Sequence, residues 1–426
     1  MQPQKRLHFF VRISYNRATI ITHSGGTIMS LSKRAMGVSP SLTLAISAKA
    51  KKMKADGLDV VSFGAGEPDF DTPKYIIDAA KEALDKGMTR YTPASGTMEL
   101  RKAICDKLQR ENGVSYDPSQ IVVSNGAKHS LSNAIRALIE EGDEVIIPAP
   151  FWLTYPELVK LSDGTPVIAE LKKENGYKLT PPELKKLINP KTKAIIINNP
   201  CNPTGVVYSK DEIAALAKEL ENYPQVYIIA DEIYEKLVYG VETMSIAAYS
   251  ESIKARTVIV NGMSKAYAMT GWRIGYTASD AALAKAMGSI QSHSTSNPNS
   301  IAQYASMKAL SDPEGKKFLT EMVGIFAKRR NLMVELTDKI GLPIIKPEGA
   351  FYVMIDVSSL FGKKYDGEQI NSAFDVASVM LDKLYTAVIP CESFGAPHFV
   401  RLSYATNEGE IRKGLERFEK FVKGCK

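Results

Sequence analysis

The sequence predicts an α/β protein whose central sheet is mainly parallel. Between about residues 75 and 310, short apolar runs rich in β-branched residues alternate with segments of helical pattern. Continuously apolar strands are typical of parallel sheets that helices cover on both faces. After Glu321 one long helical segment and two strands replace this alternation, which predicts a smaller α+β domain. A chain of 426 residues is also too long for one ordinary core.

The predicted elements follow one another in a regular order. In the large domain the apolar runs are Ile121–Val123 (leading into a helical pattern over 128–140), Glu144–Pro148, Ala194–Asn198, Val226–Asp231 and Thr257–Val260. In the small domain a long helix carries Arg329 and Arg330, and strands over 350–355 and 399–404 precede an amphipathic helix over 407–421. Because ligands bind at the carboxyl ends of parallel strands, polar residues that directly follow these runs are the candidates for a site.

Composition excludes several classes of protein. No uncharged apolar run approaches the ~18 residues that cross a bilayer. The four cysteines are far apart and form no CxxC pair, which argues against a disulfide framework or a zinc site and indicates a reducing compartment. The net charge is +7, but no basic stripe with interleaved aromatic residues indicates nucleic-acid binding. A mildly basic site for anionic substrates is consistent with this charge.

The first 28 residues contain four basic side chains and no acidic one. The basic residues are Lys5, Arg6, Arg12 and Arg17. They lack the long apolar region of a secretory signal. Two interpretations remain, an organelle transit peptide or an over-extended start with the domain beginning at Met29. We favour the second, because the segment has no clear Arg-rich amphipathic face, and we expect it to be disordered and dispensable. The expected location is then the cytoplasm, or an organelle if residues 1–28 are a transit peptide.

The strongest chemical signal is the stretch Ser264–Tyr276, directly after the run Thr257–Val260. Lys265 offers an amine, and Arg273 offers an anion clamp in a glycine-bounded turn. A lysine amine forms a Schiff base with an aldehyde, and a planar guanidinium holds a phosphate through two parallel hydrogen bonds. Pyridoxal 5′-phosphate carries both groups. A surface lysine and a surface arginine near a turn would be the plainer interpretation of either residue alone.

The whole stretch resembles the lysine motif of class-I aminotransferases of fold type I, and it is most similar to the prokaryotic-type aspartate aminotransferase branch. The resemblance covers about residues 29–424. It implies a covalent Schiff base between pyridoxal 5′-phosphate and Lys265, and a homodimer with active sites at the subunit interface. It also implies a mainly parallel seven-stranded sheet in a large domain over 71–320, and an N-terminal segment over 29–70 that packs with the small domain over 321–426.

Four more residues match family positions around the cofactor ring: Asp231, Tyr234, Asn202 and Trp152. Asp231 would keep the pyridine nitrogen protonated, and with Lys265 and Tyr234 it forms the predicted catalytic set. Tyr234 and Asn202 would donate to the phenolate oxygen, and Trp152 would stack on the ring. Taken singly, Asp231 could be a helix N-cap, Asn198–Gly205 a turn and Trp152 a core residue.

The phosphate is expected at the helix start after Ser124, since backbone N–H groups at a helix N-terminus bind phosphate. By resemblance it lies against Gly126, Ala127 and Lys128, with side-chain contacts from Ser264 and Arg273. Tyr91 resembles the tyrosine that reaches the phosphate from the neighbouring subunit. Gly262 stands where some relatives have serine, so one phosphate contact is expected to be missing.

Substrate contacts are expected from Arg401, Gly66, Lys128, Trp152 and Asn202. By resemblance Arg401 is the expected receptor of the α-carboxylate. An arginine in an apolar strand is also costly to bury without an anion, which independently indicates a ligand. By resemblance the backbone of Gly66 approaches the same carboxylate. Lys128 matches a lysine that binds the distal carboxylate of aspartate or glutamate, although Lys128 could serve only the helix start and the phosphate.

The leading hypothesis is ping-pong transamination from aspartate to 2-oxoglutarate. The alternatives on the same scaffold are an alanine, aromatic or prephenate aminotransferase, or a C–S β-lyase. Some prephenate-active members have a lysine where Ser39 stands, so strong prephenate activity is not expected. A regulator with an inactive aminotransferase domain is not favoured, because it would also need a DNA-binding domain. A structural protein is not favoured either, because it would not need the complete set of cofactor and substrate residues.

Overall fold

The structure is a computed structural model that describes residues 21–22, 28–29, 31–39 and 42–426. Most of the predicted extension over residues 1–28 lies outside the described residues. In a first unit that ends at Ser39, strand β1 (Ile21–Thr22) pairs antiparallel with β2 (Ile28–Met29), and helix α1 (Lys33–Met36) follows. The second unit, residues 40–426, begins with helix α2 (Leu42–Ala55) and strand β3 (Val61–Ser62).

Seven strands form the main sheet of the second unit. They are β4 (Ile121–Ser124), β5 (Glu144–Ala149), β6 (Thr165–Glu170), β7 (Thr192–Asn198), β8 (Tyr227–Asp231), β9 (Thr257–Gly262) and β10 (Gly275–Ala278). Their order in the sheet is β4-β10-β9-β8-β7-β5-β6. The five strands from β5 to β9 are parallel, and β10 runs antiparallel to both β4 and β9.

Helices cover both faces of this sheet, as the apolar strands require. They are α3 (Lys74–Asp85), α4 (Met98–Lys107), α5 (Ala127–Leu138), α6 (Thr154–Leu161), α7 (Pro181–Leu187), α8 (Lys210–Leu220), α9 (Glu251–Lys254), α10 (Met263–Ala266), α11 (Ala281–Ser294) and α12 (Ser300–Ser311). Ile146 and Ile147 are adjacent on β5 but belong to different hydrophobic clusters. Successive side chains of a strand point to opposite faces, so both faces of β5 are buried.

The C-terminal part of the chain builds a second, four-stranded sheet. Its elements are α13 (Glu314–Ile340), β11 (Ile344–Ile345), β12 (Tyr352–Asp356), β13 (Lys364–Tyr365), β14 (Glu368–Gln369), α14 (Ala373–Leu384), β15 (Thr386–Ala387), β16 (Ile389–Pro390), β17 (Phe399–Ser403) and α15 (Glu408–Gly424). The sheet order is β11-β12-β17-β16, and β15 pairs in parallel with β3. Phe326, Phe351 and Phe418 are fully buried in the cluster under this sheet.

The predicted α/β class with a mainly parallel seven-stranded sheet is confirmed. Two of its strands were not predicted. Edge strand β6 contains Pro166 and is only partly buried, so it lacks a continuous apolar signal, and β10 begins with Gly275 inside the stretch that we interpreted as a cofactor motif. The predicted domain boundaries at 71 and 321 remain predictions. Over the described residues, no helix is both long and apolar enough to cross a membrane.

Candidate active site

A cavity of about 410 Å³ lies beside the carboxyl ends of the central strands. Asp231 is the last residue of β8, Lys265 lies on α10 after β9, and Asn202 follows β7. The cavity brings together these predicted site residues: Gly66, Ala127, Lys128, Trp152, Asn202, Asp231, Tyr234, Ser264, Lys265, Arg273 and Arg401. Residues from both main sheets therefore meet in one site, although they are far apart in the sequence.

Asp231 is a buried carboxyl group, 2% exposed. Its Oδ2 accepts a hydrogen bond from the Tyr155 hydroxyl at 2.7 Å, and its Oδ1 accepts one from the Ile233 N–H at 3.2 Å. Burial raises its pKa to about 6, and the bond from Tyr155 opposes this rise. No ion pair satisfies Asp231 in the described part of the chain, so a cation in the cavity would favour its charged form.

Lys265 lies on α10, and its Nζ donates a hydrogen bond to the Gly66 carbonyl at 2.5 Å. Its pKa is lowered to about 8, chiefly by burial. The positive charges of Arg273 and Arg401 contribute to this shift, whereas Glu67 and Asp231 oppose it. A lysine with such a pKa is partly neutral near physiological pH. It can therefore act as a nucleophile toward an aldehyde or as a base.

Tyr234 and Asn202 place neutral hydrogen-bonding groups on the cavity wall. The hydroxyl of Tyr234 lies 3.0 Å from that of Tyr352, and burial raises the pKa of Tyr234 well above its ordinary value. Tyr234 therefore stays protonated and can donate. The Asn202 Oδ1 accepts from Arg401 Nη1 at 2.9 Å, which leaves its amide N–H groups free to donate.

A phosphate-sized cradle forms where α5 begins. Gly126 is the N-cap with φ of 88°, and no side chain caps the helix, so the first N–H groups of α5 are open to an anion. A Cβ on Gly126 would overlap the Arg273 guanidinium, and a Cβ on Gly275 would overlap the backbone of Gly126 and Ala127. Glycine at both positions lets the backbone and the guanidinium converge on one point.

Arg273 itself adopts an uncommon conformation for an arginine, with φ of 58°. Its Nη1 donates to the Thr270 carbonyl at 2.8 Å, and its Nη2 lies 3.4 Å from the Asn125 carbonyl. Left-handed backbone at a residue other than glycine costs of order 1 kcal/mol or more and concentrates at functional sites. The turn thus holds the guanidinium beside the start of α5.

Arg401 is 3% exposed, and it has no carboxylate partner in the described residues. Its Nη1 donates to Asn202, whereas its Nε is buried without a hydrogen-bond partner. The rings of Tyr352 and Phe394 lie 4.3 and 5.1 Å from the guanidinium carbon. A buried, incompletely paired guanidinium on a cavity wall calls for an anion.

Lys128 also lines the cavity, with its Nζ 4.9 Å from the centre of the Trp152 ring. Burial lowers the pKa of Lys128, and the nearby Arg273 lowers it further. Lys128 forms no ion pair within the described residues. The cavity therefore holds a second cation that could take an anionic group of a ligand.

Two predicted site residues do not line the cavity. Gly126 is not a lining residue, although it lies against the Arg273 guanidinium. Tyr91 is 90% exposed and lines a separate groove with Met88, Tyr304 and Met307. The contact of Tyr91 with a second subunit stays a prediction.

Sequence reasoning missed two tyrosines of the cavity, Tyr155 and Tyr352. Tyr155 packs edge-on against Trp152 with ring centres 5.5 Å apart, and its place three residues after Trp152 was a usable signal. Tyr352 follows Phe351 in a strand that we predicted in the small domain without assigning a site residue to it. Its proximity to Tyr234 depends on how two distant elements pack, which no local pattern reveals.

These residues fit pyridoxal phosphate by the chemistry of their donors. The uncapped start of α5 and Arg273 suit its phosphate, the unpaired buried Asp231 suits a protonated ring nitrogen, and Lys265 suits its aldehyde. The topology and this set of groups define the class of the protein as a fold-type I pyridoxal-phosphate enzyme.

Comparison with known proteins narrows that class to a family. The family model for aminotransferase class I and II matches residues 58–418, and the chain belongs to this family. Its cofactor is accordingly pyridoxal 5′-phosphate.

Individual relatives are similar over almost their whole length. The chain is 47% identical to an aspartate aminotransferase of Bacillus sp. (strain YM-2), over 92% of this chain and 99% of the relative. It is 46% identical to an aspartate/prephenate aminotransferase of Cereibacter sphaeroides, over 91% of this chain and 97% of the relative. A solved structure of the Thermus thermophilus aspartate aminotransferase with maleate matches 92% of this chain and 100% of its own, at 40% identity and a TM-score of 0.87.

Proposed function

We propose that the protein transfers the amino group of L-aspartate to 2-oxoglutarate, which gives oxaloacetate and L-glutamate. The observation that carries this proposal is the pair of cations in one cavity, Arg401 without a carboxylate partner and Lys128 without an ion pair among the described residues. Two cations match the two carboxylates of each substrate. Relatives named aspartate aminotransferase, one of them solved with the dicarboxylate maleate, support the same substrate class.

In the proposed mechanism, pyridoxal phosphate supplies an aldehyde that bonds to amines and a ring that accepts electrons. Asp231 would hold the proton on the ring nitrogen, and Tyr234 and Asn202 would donate to the ring oxygen. Arg401 binds the α-carboxylate. The Nζ of Lys265 would accept the proton that leaves the substrate Cα. Its lowered pKa of about 8 suits a base that works near neutral pH.

We further infer a homodimer in the cytoplasm. The 90% exposed Tyr91 beside an apolar groove supports an assembly in which a second copy covers this surface. The four cysteines are free, and the relatives described above come from bacteria, which supports a reducing location.

Single-turnover half-reactions test the substrate class. The holoenzyme is mixed with aspartate, glutamate, alanine or phenylalanine, and the absorbance of the bound cofactor is followed. We expect the two dicarboxylic amino acids to react about tenfold faster or more, the value of one charged hydrogen-bonded pair. Equal rates for alanine or phenylalanine would refute the assignment to aspartate. A Lys265→Ala variant that kept both the pH-dependent absorbance of the bound cofactor and full turnover would refute the mechanism.

Lys128→Met tests the contact with the distal carboxylate. Removing this charge should lower kcat/KM for aspartate by about 10- to 100-fold while that for alanine changes little, since only aspartate carries the second carboxylate. Steady-state kinetics with both donors measure the ratio. If both donors lose activity equally, Lys128 serves the phosphate and helix start instead.

Prephenate is a second candidate acceptor, because one relative at 46% identity is named an aspartate/prephenate aminotransferase. Ser39 occupies the place where we expected a lysine in prephenate-active members. We therefore expect prephenate to be a poorer acceptor than 2-oxoglutarate, as measured by kcat/KM with aspartate as the donor.

A further inference from the structure

Tyr352 occupies a central position that the proposed mechanism does not use. It is the first residue of β12, it is 1% exposed, and its side chain lines the cavity. A Cβ on Gly66 would lie 3.6 Å from its hydroxyl, and the Gly66 carbonyl accepts the hydrogen bond from Lys265. Tyr352 thus lies close to Gly66, whose carbonyl binds the reacting lysine.

The register of the small sheet places Tyr352 beside Arg401. Tyr352 pairs with Ser403 and Met354 pairs with Arg401, so Tyr352 and Arg401 are diagonal neighbours on one face of the β12–β17 pair. Diagonal positions are within reach of aromatic and long side chains. The guanidinium carbon of Arg401 lies 4.3 Å from the centre of the Tyr352 ring, a cation–π distance.

The hydroxyl of Tyr352 contacts Tyr234, one of the predicted cofactor residues. It lies 3.0 Å from the Tyr234 hydroxyl, and both groups are buried. A phenol has one proton to donate. If Tyr234 donates its proton to the cofactor, Tyr352 must be the donor of this pair and Tyr234 the acceptor. A donated bond also polarises Tyr234 and strengthens it as a donor.

We propose that Tyr352 is a positioning residue that couples the two halves of the site. Its hydroxyl orients Tyr234 toward the cofactor, and its ring holds the guanidinium of Arg401 for the substrate carboxylate. The inference rests on the proposed function, because it assigns Tyr234 to the cofactor and Arg401 to the substrate. Its two halves depend on different atoms of one side chain and can be separated by substitution.

Tyr352→Phe removes the hydroxyl and keeps the ring. We expect kcat for aspartate to fall about 2- to 10-fold with KM nearly unchanged, the effect of one neutral hydrogen bond. The midpoint of the pH-dependent absorbance of the bound cofactor should rise, because Tyr234 becomes a weaker donor to the ring oxygen. The dissociation constant of maleate, an unreactive dicarboxylate, should stay within about twofold of wild type.

Tyr352→Leu also removes the ring, and Tyr352→Met repeats the test with a larger apolar side chain in case the leucine variant does not fold. Either variant should weaken maleate binding about tenfold, the value of a desolvated cation–π contact. Tyr239 provides the matched control. It is buried in the same hydrophobic cluster under Arg330, at 5.4 Å, but it does not line the cavity. Tyr239→Phe and Tyr239→Leu should lower only the Tm.

Each outcome decides one half of the proposal. A Tyr352→Phe variant with wild-type kcat and absorbance midpoint overturns the role of the hydroxyl. Unchanged maleate affinity in the ring-deleted variants overturns the role of the ring, and effects matching those of the Tyr239 variants reduce Tyr352 to a packing residue. Failure of the proposed function is a separate result, since the wild-type enzyme would then show no turnover of aspartate.

Discussion

At the scale of single residues, the protonation state of Asp231 depends on groups that hold it from two sides. The Tyr155 hydroxyl and the Ile233 N–H each bind one carboxyl oxygen, while burial favours the neutral acid. Because hydrogen bonds to the charged form stabilise it, Tyr155 keeps Asp231 closer to the ionised state that a ring cation needs. Tyr155 is therefore expected to affect activity through Asp231, although it is not a member of the predicted catalytic set.

Tyr155→Phe should raise the pKa of Asp231 further and lower kcat by about 10- to 100-fold, the value of a hydrogen bond to a charged group. Steady-state kinetics and the affinity for pyridoxal phosphate measure the loss. Tyr208→Phe is the control, since Tyr208 is also buried but bonds to the Leu179 N–H away from the cavity. Equal losses in the two variants would show that Tyr155 acts through stability alone.

Lys265 leads to a prediction about pH. Its pKa of about 8, lowered from 10.5 chiefly by burial, means that the neutral amine accumulates above about pH 8. The rate at which the apoenzyme attaches pyridoxal phosphate should therefore rise with pH and level off above about pH 9, because the neutral amine is the nucleophile. Stopped-flow absorbance measures this rate.

The neighbouring charges provide the control for that profile. Arg401→Gln removes a positive charge that lowers the pKa of Lys265, so the midpoint should move to higher pH. A wild-type rate that still rises several-fold between about pH 9 and about pH 10 would contradict the lowered pKa, since that rise is expected of an ordinary lysine, which titrates near 10.4.

At the scale of elements, the start of α5 depends on a glycine. Gly126 has φ of 88°, and any Cβ there would meet the Arg273 guanidinium. Gly126→Ala should weaken the binding of pyridoxal phosphate by about 10- to 100-fold, because it adds backbone strain and displaces the anion clamp. Absorbance titration of the apoenzyme measures the dissociation constant.

Gly142 separates strain from displacement in this experiment. It has a similar φ of 96°, but nothing lies within 4 Å of a Cβ built there. Gly142→Ala should therefore lower stability without changing the affinity for the cofactor. If the two variants bind pyridoxal phosphate equally well, Gly126 is required only for the turn and the proposed cradle is wrong.

At the scale of the whole molecule, Tyr91 is a predicted site residue that lies outside the cavity of its own chain. If it serves the site of a second copy, mixed dimers of Lys265→Ala and Tyr91→Ala subunits contain one intact site. A mixture refolded at equal amounts should regain about one quarter of the wild-type activity, since half of the dimers are mixed and each has one working site. Activity equal to the mean of the two separate variants would place Tyr91 outside the partner's site.

Much of the fold and site could be predicted because short strings carry strong constraints. Apolar runs such as Val226–Asp231 require burial on both faces, and Ser264–Tyr276 combines an amine with an anion clamp, so class and cofactor follow. Strand β6 could not be predicted, because it is at the edge and partly exposed. Tyr352 could not be assigned either, since a buried tyrosine usually belongs to the core, whereas the spacing of Tyr155 from Trp152 was a signal that we did not use.

The sequence by itself determined the α/β class, the family and the residue types available for chemistry, because these depend on local periodicity and on motifs within a few residues. Only the tertiary structure decided which residues meet. The register of β12 and β17 sets Tyr352 against Arg401, and packing between the two sheets brings Tyr352 to Tyr234. Tyr234 and Tyr352, for example, are more than a hundred positions apart in the sequence. Hydrophobic packing brings such distant residues into contact. The lysine motif therefore indicates the cofactor, whereas the folded chain decides which groups position it and its substrate.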